Sequence, residues 1–440
     1  MNVNFAERAQ NHNWKLDPIV RSLLDTDFYK LLMLQFIWKN FPKLHVTSDV
    51  TNRTVRVRLA ERVGATALIE QMEHVRLLRF RRSELVWLAG NTFYGTRWIF
   101  EPQFLDWLEH EFELSDYEVS EQDGQLVLRF SGLWSAVTMW EVYALAIVSE
   151  LKTRAALAEL SELELDVLYA RAKTRLWDKI VKLQQVPDLQ VSDFGTRRRH
   201  SFLWQEYCVE AMRVSLNGRA QERFSGTSNA ALAYKHDLEA IGTNAHELPM
   251  AMAALASRGS DEQLRVSQYK VLELWQQSYG GALLIMLPDT FGTTQFLAGA
   301  PDWVAGWTGQ RIDSKDPVIA GDEYIAWLEK RGEDPRSKRL IASDGLDVDD
   351  IVRLHEYFAG RIRFSAGWGT LLTNDFRGCH PRGEGTLGPL SLVCKLTSVD
   401  GVPVVKLSDN ALKTSGPPDL VERYRRVFGT EAALGAAVVV

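Results

Sequence analysis

The hexapeptide GTNAHE, residues 242–247, sets one histidine, His246, beside Glu247 and shortly before Pro249, where a β-rich run gives way to a helical one. An imidazole there is either a packed loop residue or an acid, base or nucleophile working near phosphate. The nine histidines form no HxH or HExxH pair, so their spacing indicates no metal site. A Ser-His-Asp hydrolase is equally unsupported, because the chain has no GxSxG elbow. DFGTRRRHS, 193–201, sets three consecutive arginines directly after an apolar strand-like run. Such a run is a solvated face or a seat for anionic oxygens, and phosphate on a small molecule suits the second. In SDGLDVDD, 343–350, the glycine is misplaced for an EF-hand, and Asp347 is positioned to cap a helix whose first turn carries Asp349 and Asp350. That leaves Ser343, Asp344 and Gly345 at the strand end, free to face a ribose or a hydrated Mg²⁺. GWGTLLTND, 367–375, offers Gly367, Gly369 and Thr370 just before a helical turn, a way to bring backbone N–H groups against phosphate.

These loops need a frame that brings them to one place. From about residue 188, LQVSDF runs into GTRRRHS, AIGT into NAHE, ALLIML into PDTFGT, GQRI into DSKDP, RLIA into SDGLDVDD and IRFSA into GWGTLLTND. Strand, polar loop and helix in succession predict an α/β fold whose strand ends converge on one face. Six such units are few for a regular eight-fold barrel, so an irregular β/α barrel is expected. Ahead of it, Asp27–Trp38 and Ala65–Leu78 read as amphipathic helices and TVRVRL (54–59) and QLVLRF (125–130) as strands, an α+β domain. A helical pattern runs from about 150 to about 184. SLVCKLTSVDGVPVVKLSD, 391–409, reads as two strands joined by a turn at Asp400-Gly401, outside the barrel. The expected division is 1–145, 146–378 and 379–440.

Composition narrows the partners. A chain of 440 residues, 46% hydrophobic, can bury a large core and exceeds one ordinary domain. Its formal charge of −6 argues against nucleic acid as a partner. Cys208, Cys379 and Cys394 are widely spaced with no CxxC, which fits a reducing cytosol. Neither the opening MNVNFAERAQNHNWKL nor any later run reads as a signal peptide or membrane span, so a cytoplasmic protein is expected.

Taken together, LLDTDFYKLLMLQ (23–35), DFGTRRRHS, FSGTSN (224–229), GTNAHE, DSKDP (313–317), SDGLDVDD, GWGTLLTND and VVKLSDN (404–410) resemble the nicotinate phosphoribosyltransferase family, in its order and spacing, from about 17 to about 410. The resemblance implies ATP-assisted transfer of phosphoribosyl from phosphoribosyl pyrophosphate to nicotinate, giving nicotinate mononucleotide for NAD synthesis. It also implies a type II phosphoribosyltransferase fold: an irregular barrel, an N-terminal domain completed by C-terminal strands, and a homodimer with shared active sites. His246 matches the histidine that ATP phosphorylates in the family. Tyr29 and Phe194 match the aromatic pair that sandwiches the pyridine ring, one from each subunit. Arg198 and Arg311 would hold the anionic groups of nicotinate and the phosphoribosyl donor. Gly242 and Thr243 would approach the substrate, and Ser343, Asp344, Gly345, Gly367, Gly369 and Thr370 would receive the ribose phosphate. Asp313 would lie where positive charge develops on the ribose, and Mg²⁺ would neutralise the departing pyrophosphate.

Two departures stand out: Lys315 replaces the usual glycine of the DSGDP loop, and Trp368 and Leu371 stand where Ile and Asn are common. Nicotinamide or quinolinate is the alternative substrate, and a non-catalytic nucleotide-binding barrel the alternative class. Nicotinamide-using relatives carry an aspartate where Ser228 stands, and a carboxylate there would repel nicotinate's own.

Overall fold

The computed structural model describes residues 17–92, 95, 98–218, 222–383 and 387–429; the opening segment 1–16 and the tail EAALGAAVVV lie outside the described residues. Two sheets organise it. The first is antiparallel, with strands β1 (His45–Asn52), β2 (Tyr117–Gln122), β3 (Gln125–Leu133), β10 (Leu392–Val399) and β11 (Val402–Pro403) in the order β11-β10-β1-β3-β2. β10 runs antiparallel to β1 from the pair Val46–Val399 to the pair Asn52–Leu392, so the end of the chain completes a sheet begun near its start. The turn between β10 and β11 lies at Asp400 and Gly401, whose φ values of 44° and 77° are what a tight hairpin needs.

The second sheet is parallel: β4 (Gln190–Asp193), β5 (Phe224–Thr227), β6 (Ile285–Met286), β7 (Gly309–Ile312), β8 (Arg339–Ala342) and β9 (Arg363–Trp368), in the order β5-β4-β9-β8-β7-β6. The ring is irregular between β5 and β6. There the segment 240–244 stands in for a strand: Ala240 bridges to Thr227, and Asn244 Nδ2 donates to the Ile285 carbonyl at 3.1 Å.

Four expectations about local structure need correction. AIGT contributes only that single bridge, whereas FSGT, read only as a motif, is the strand. TVRVRL forms no strand, because the Asn52 side chain accepts from Thr54 N and donates to the carbonyls of Thr54 and Val57, bending the chain into a turn. The helical run of 150–184 is two helices, Trp140–Leu157 and Glu162–Gln184. Ser161 and Glu164 form a capping box that starts the second afresh, and residue 145 falls inside the first. The helix Phe28–Asn40, read as amphipathic, is buried without a break from Phe28 to Ile37, because barrel and sheet enclose it. The aspartate cap stands as read: Asp350 N donates to Asp347 at 2.9 Å in a capping box.

The segment entering that central helix is anchored to the barrel by a buried ion pair. Both Nη atoms of Arg199 donate to the two oxygens of Asp25, at 2.6 and 2.8 Å, and Asn229 Nδ2 adds a bond at 2.8 Å. Arg199 is fully buried and Asp25 is 2% exposed. Removing one partner strands the other charge away from water. Arg199→Met should therefore lower unfolding free energy by about 3–5 kcal/mol in urea titrations, and Arg199→Met with Asp25→Leu should recover part of the loss.

Candidate active site

His246 sits at the mouth of the barrel, immediately before the helix Glu247–Ala256. Its Nε2 lies 2.6 Å from Asp289 Oδ1 and 3.7 Å from Asp313 Oδ2. Asp289, 1% exposed, comes from the PDT loop after β6 and also accepts from Ser314 Oγ at 2.6 Å. Burial disfavours its charge, but the His246 ring, Lys406 at 3.9 Å and the Ser314 hydroxyl hold its carboxyl well below the ordinary range. Burial lowers the His246 pKa below the usual imidazole value, so the ring is neutral near pH 7. One ligand atom each from His246, Asp289 and Asp313 come within 4.8 Å of one another, a donor set that could hold a metal ion. Histidine spacing could not foretell it, because the three residues come from separate loops.

A first cavity opens from this histidine. Asp313, Ser343, Asp344, Gly345, Gly369 and Thr370 line it, as the strand-end reading expects. Burial opposes the charge of Asp313, but His246, Lys413 and Arg311 keep its pKa low. Burial and then Asp313 raise that of Asp344. Lys413 Nζ binds both, donating to the Asp313 carbonyl at 2.5 Å and pairing with Asp344 Oδ2 at 2.7 Å. Opposite stand cations the motif reading missed: Arg53, after β1, Lys395 on β10, and Lys406 and Lys413 beyond β11. Burial, then Arg53, Lys406 and Lys413, lower the pKa of Lys395 to about 7. A crowd of cations short of carboxylates is built to receive an anion with several charges.

A second cavity extends into the barrel, and Tyr29, Phe194, Arg197 and Arg311 line both. Ser228, Gly242, Thr243 and Gly367 line only the second. Gly242 and Gly367 allow the two rings to settle here, since a Cβ on Gly242 would lie 2.6 Å from Tyr29 N and one on Gly367 would overlap the Phe194 ring. The Tyr29 segment is tethered to the barrel, where Phe28 N donates to the Ser228 carbonyl at 2.6 Å. Ser228 itself does not leave the wall neutral. Its hydroxyl donates to Asp27 at 2.6 Å, so a carboxyl group from another element stands beside it.

The three arginines of DFGTRRRHS part company. Arg198 lines the first cavity, but its Nε and Nη2 donate to the Leu392 carbonyl at 3.1 and 2.9 Å, and burial followed by Arg197 and Arg53 lowers its pKa to about 10. Arg197 faces both cavities and reaches Glu141 at 3.1 Å, while Arg199 is structural. Nothing in a run of identical residues separates them; the 3₁₀ turn Thr196–Arg198 does. His200 is buried against Tyr169 and stacked on Phe376, with centroids 3.7 Å apart, and plays no part in either cavity.

Glu247 has a partner that sequence spacing could not reveal. Lys30, fully buried, lies 2.6 Å from Glu247 and 2.7 Å from Glu141, and Trp134 Nε1 donates to the other Glu247 oxygen at 2.5 Å. The residue after Tyr29 is thereby tied to the residue after His246. Lys315 turns away from the site toward Thr294 at 2.9 Å and Glu323 at 2.6 Å, and its φ is not in the left-handed region, so glycine is not required there. Trp368 is buried with Nε1 donating to the Leu346 carbonyl at 3.1 Å, and Leu371 lines the first cavity.

Known proteins share this arrangement. The sequence profile of the nicotinate phosphoribosyltransferase family matches residues 189–432, and that of the family's N-terminal domain matches residues 24–149. Among solved structures, a nicotinate phosphoribosyltransferase from Vibrio cholerae is 31% identical with a TM-score of 0.83, over 96% of each chain. One from Porphyromonas gingivalis is 28% identical over 94% of this chain and 100% of its own, with a TM-score of 0.80. A putative one from Saccharomyces cerevisiae is 27% identical over 94% and 99%, with a TM-score of 0.81. With both halves matched, the motif loops gathered at one barrel mouth and the C-terminal strands closing the N-terminal sheet, this chain belongs to the nicotinate phosphoribosyltransferase family.

Proposed function

We propose that this chain transfers phosphoribosyl from phosphoribosyl pyrophosphate to nicotinate, forming nicotinate mononucleotide and pyrophosphate for NAD synthesis, and that ATP assists through a phosphohistidine at His246. Family membership supports the transfer. The 2.6 Å contact between His246 Nε2 and Asp289 carries the ATP-linked part. With Nε2–H donated to Asp289, the lone pair is on Nδ1, which can attack the γ-phosphorus of ATP as the bond to ADP breaks. The Nε2 proton stays on the ring, hydrogen-bonded to Asp289, and water later cleaves the N–P bond to release phosphate and restore the neutral imidazole.

In the transfer step the nicotinate ring nitrogen bonds to the anomeric carbon as the carbon–oxygen bond to pyrophosphate breaks. Tyr29 and Phe194 hold the ring, Arg197 and Arg311 receive its carboxylate, and Gly242 and Thr243 bound it. The ionised Asp313 faces the positive charge that develops on the ribose. Ser343, Asp344, Gly345, Gly369 and Thr370 suit the ribose and its phosphate, and Arg53, Arg198, Lys395, Lys406 and Lys413 suit the pyrophosphate. Asp313 and Asp344 fit Mg²⁺ as hard oxygen ligands, and a cation relieves the repulsion from Asp313 that, after burial, raises the Asp344 pKa. When bound there, Mg²⁺ supplies charge neutralisation for the leaving pyrophosphate.

A cytoplasmic homodimer is part of the same proposal, consistent with unpaired cysteines and with no helix among the described residues long and apolar enough to cross a membrane. Its active sites are shared, with Tyr29 and Phe194 of each ring pair coming from different protomers. Mixing Phe194→Ala with Tyr29→Ala subunits should therefore recover activity at sites that keep both rings, and no recovery in exchanged heterodimers would count against shared sites. Phe194→Ala alone should raise the KM for nicotinate roughly 2- to 10-fold through lost stacking.

The deciding experiment for His246 uses γ-labelled ATP and peptide mapping at alkaline pH. Label should appear on the His246 peptide, and His246→Asn should abolish both label and ATP stimulation; label on His200 would overturn the assignment. The pH dependence has a definite sign. Because burial lowers the His246 pKa, labelling should persist as pH falls to about 6.5, the ordinary imidazole value, and decline only in more acidic buffer; a decline already complete there would contradict a neutral, buried imidazole.

A further inference from the structure

The ring site contains a carboxyl group that the reaction above does not use. Asp27 is 2% exposed and lies on the second-cavity wall with Tyr29, Phe194, Gly242 and Thr243. Although it precedes the helix Phe28–Asn40, its side chain caps no backbone N–H. It accepts from Ser228 Oγ at 2.6 Å, and its cation is Arg197, whose Nε stays 3.6 Å away because Glu141 holds Arg197 Nη1 at 3.1 Å.

Charge is out of balance around Arg197, where Asp27 borders the second cavity and Glu141 and Glu247 border the first. Lys30 and Arg197 face the carboxyl groups of Asp27, Glu141 and Glu247, two cations against three acids. Arg311 on the same cavity adds a third cation, and nicotinate would add a fourth acid. That local excess favours protonation of one carboxyl, since crowded carboxylates share a proton. Glu141 keeps its charge because, against burial, Lys30 and Arg197 hold its pKa low, and Glu247 has Lys30 at 2.6 Å. Asp27 has the weakest compensation. Facing it are Arg197 and Thr196 from the loop after β4, Ser228 from the loop after β5, Glu141 from the helix Trp140–Leu157, and its neighbour Tyr29. Asp193, on β4, is pushed up to about 6 by burial with a contribution from Asp27.

We propose that Asp27 carries a proton when nicotinate occupies the ring site and is the residue that selects between the acid and the amide form of the ring. The proposal rests on the second cavity being the nicotinate site. The proton comes from solvent as nicotinate enters, so that one anion and one proton are taken up together. Protonated, Asp27 can donate to the substrate carboxylate; ionised, it repels that group and instead accepts from the N–H₂ of nicotinamide. Burial favours the protonated form, while Arg197, Ser228 and Thr196 oppose it.

The test measures kcat/KM for nicotinate and for nicotinamide between about pH 6 and 8.5 with the full chain, phosphoribosyl pyrophosphate and ATP, in wild type and Asp27→Asn. Wild-type kcat/KM for nicotinate should fall with rising pH, by up to about tenfold per unit, as the free enzyme loses this proton, and Asp27→Asn should remove that slope. Any nicotinamide turnover should lack the slope. Ser228→Ala, which removes a bond favouring ionised Asp27, should move the wild-type fall to higher pH, and it serves if the asparagine variant fails to fold. An unchanged slope in Asp27→Asn, or a fall that Ser228→Ala leaves in place, overturns the role of Asp27 while leaving nicotinate turnover intact. No nicotinate turnover by wild type at any pH would instead overturn the functional reading itself, and this role with it.

Discussion

Buried charge holds the site together. The segment Asp25–Lys30 threads between barrel and sheet, and it is fixed at one end by Arg199 against Asp25 and at the other by Lys30 between Glu141 and Glu247. Each group is nearly or fully removed from water, so none can be left unpaired without losing several kcal/mol. Between the two ends lie Asp27 and Tyr29, whose positions in the second cavity follow from the anchors. The same contacts align His246, because Glu247 follows it directly and begins the helix behind it.

Two kinds of recognition meet at this mouth. The barrel loops contribute small residues, hydroxyls and carboxylates, and the antiparallel sheet with its C-terminal continuation contributes the cations Arg53, Lys395, Lys406 and Lys413. Neither half forms the first cavity alone. Lys413, far along the chain, reaches both Asp313 and Asp344, and the loop carrying Asp409 is fixed to Thr293 by bonds at 2.8 and 2.6 Å. Closing the N-terminal sheet with β10 is what delivers these residues.

His246 and Asp289 illustrate how the environment sets chemistry. A histidine at a loop tip would be half protonated near its ordinary pKa; buried against an aspartate whose charge is sustained by Lys406 and Ser314, it stays neutral with one nitrogen committed. The ring site carries the opposite stress. There Arg197 and Lys30 face a surplus of carboxyl groups, and the surplus falls on Asp27.

Much of the frame was legible from local pattern: the alternating strand, loop and helix units, the aspartate cap at Asp347, the hairpin at Asp400-Gly401, and the strand-end loops carrying His246, Asp313, Ser343 and Asp344. These depend on hydrophobic period, turn chemistry and motif order, which short stretches of chain carry in themselves. The failures have the opposite character. TVRVRL alternates like a strand, but Asn52 bends it; the helix from Phe28 looks two-faced, but packing encloses it; FSGT is too short and small to announce itself as β5. Which arginine of three faces the cavity, that Asp289 meets His246 and that Asp27 stands behind Ser228 are contacts between segments 43 and 201 residues apart, or differences of rotation within one turn. The sequence by itself determined which chemical groups the chain carries and the local elements that bear them; only the tertiary structure decided which of those groups meet, because burial and pairing are properties of the packed whole and not of any one segment.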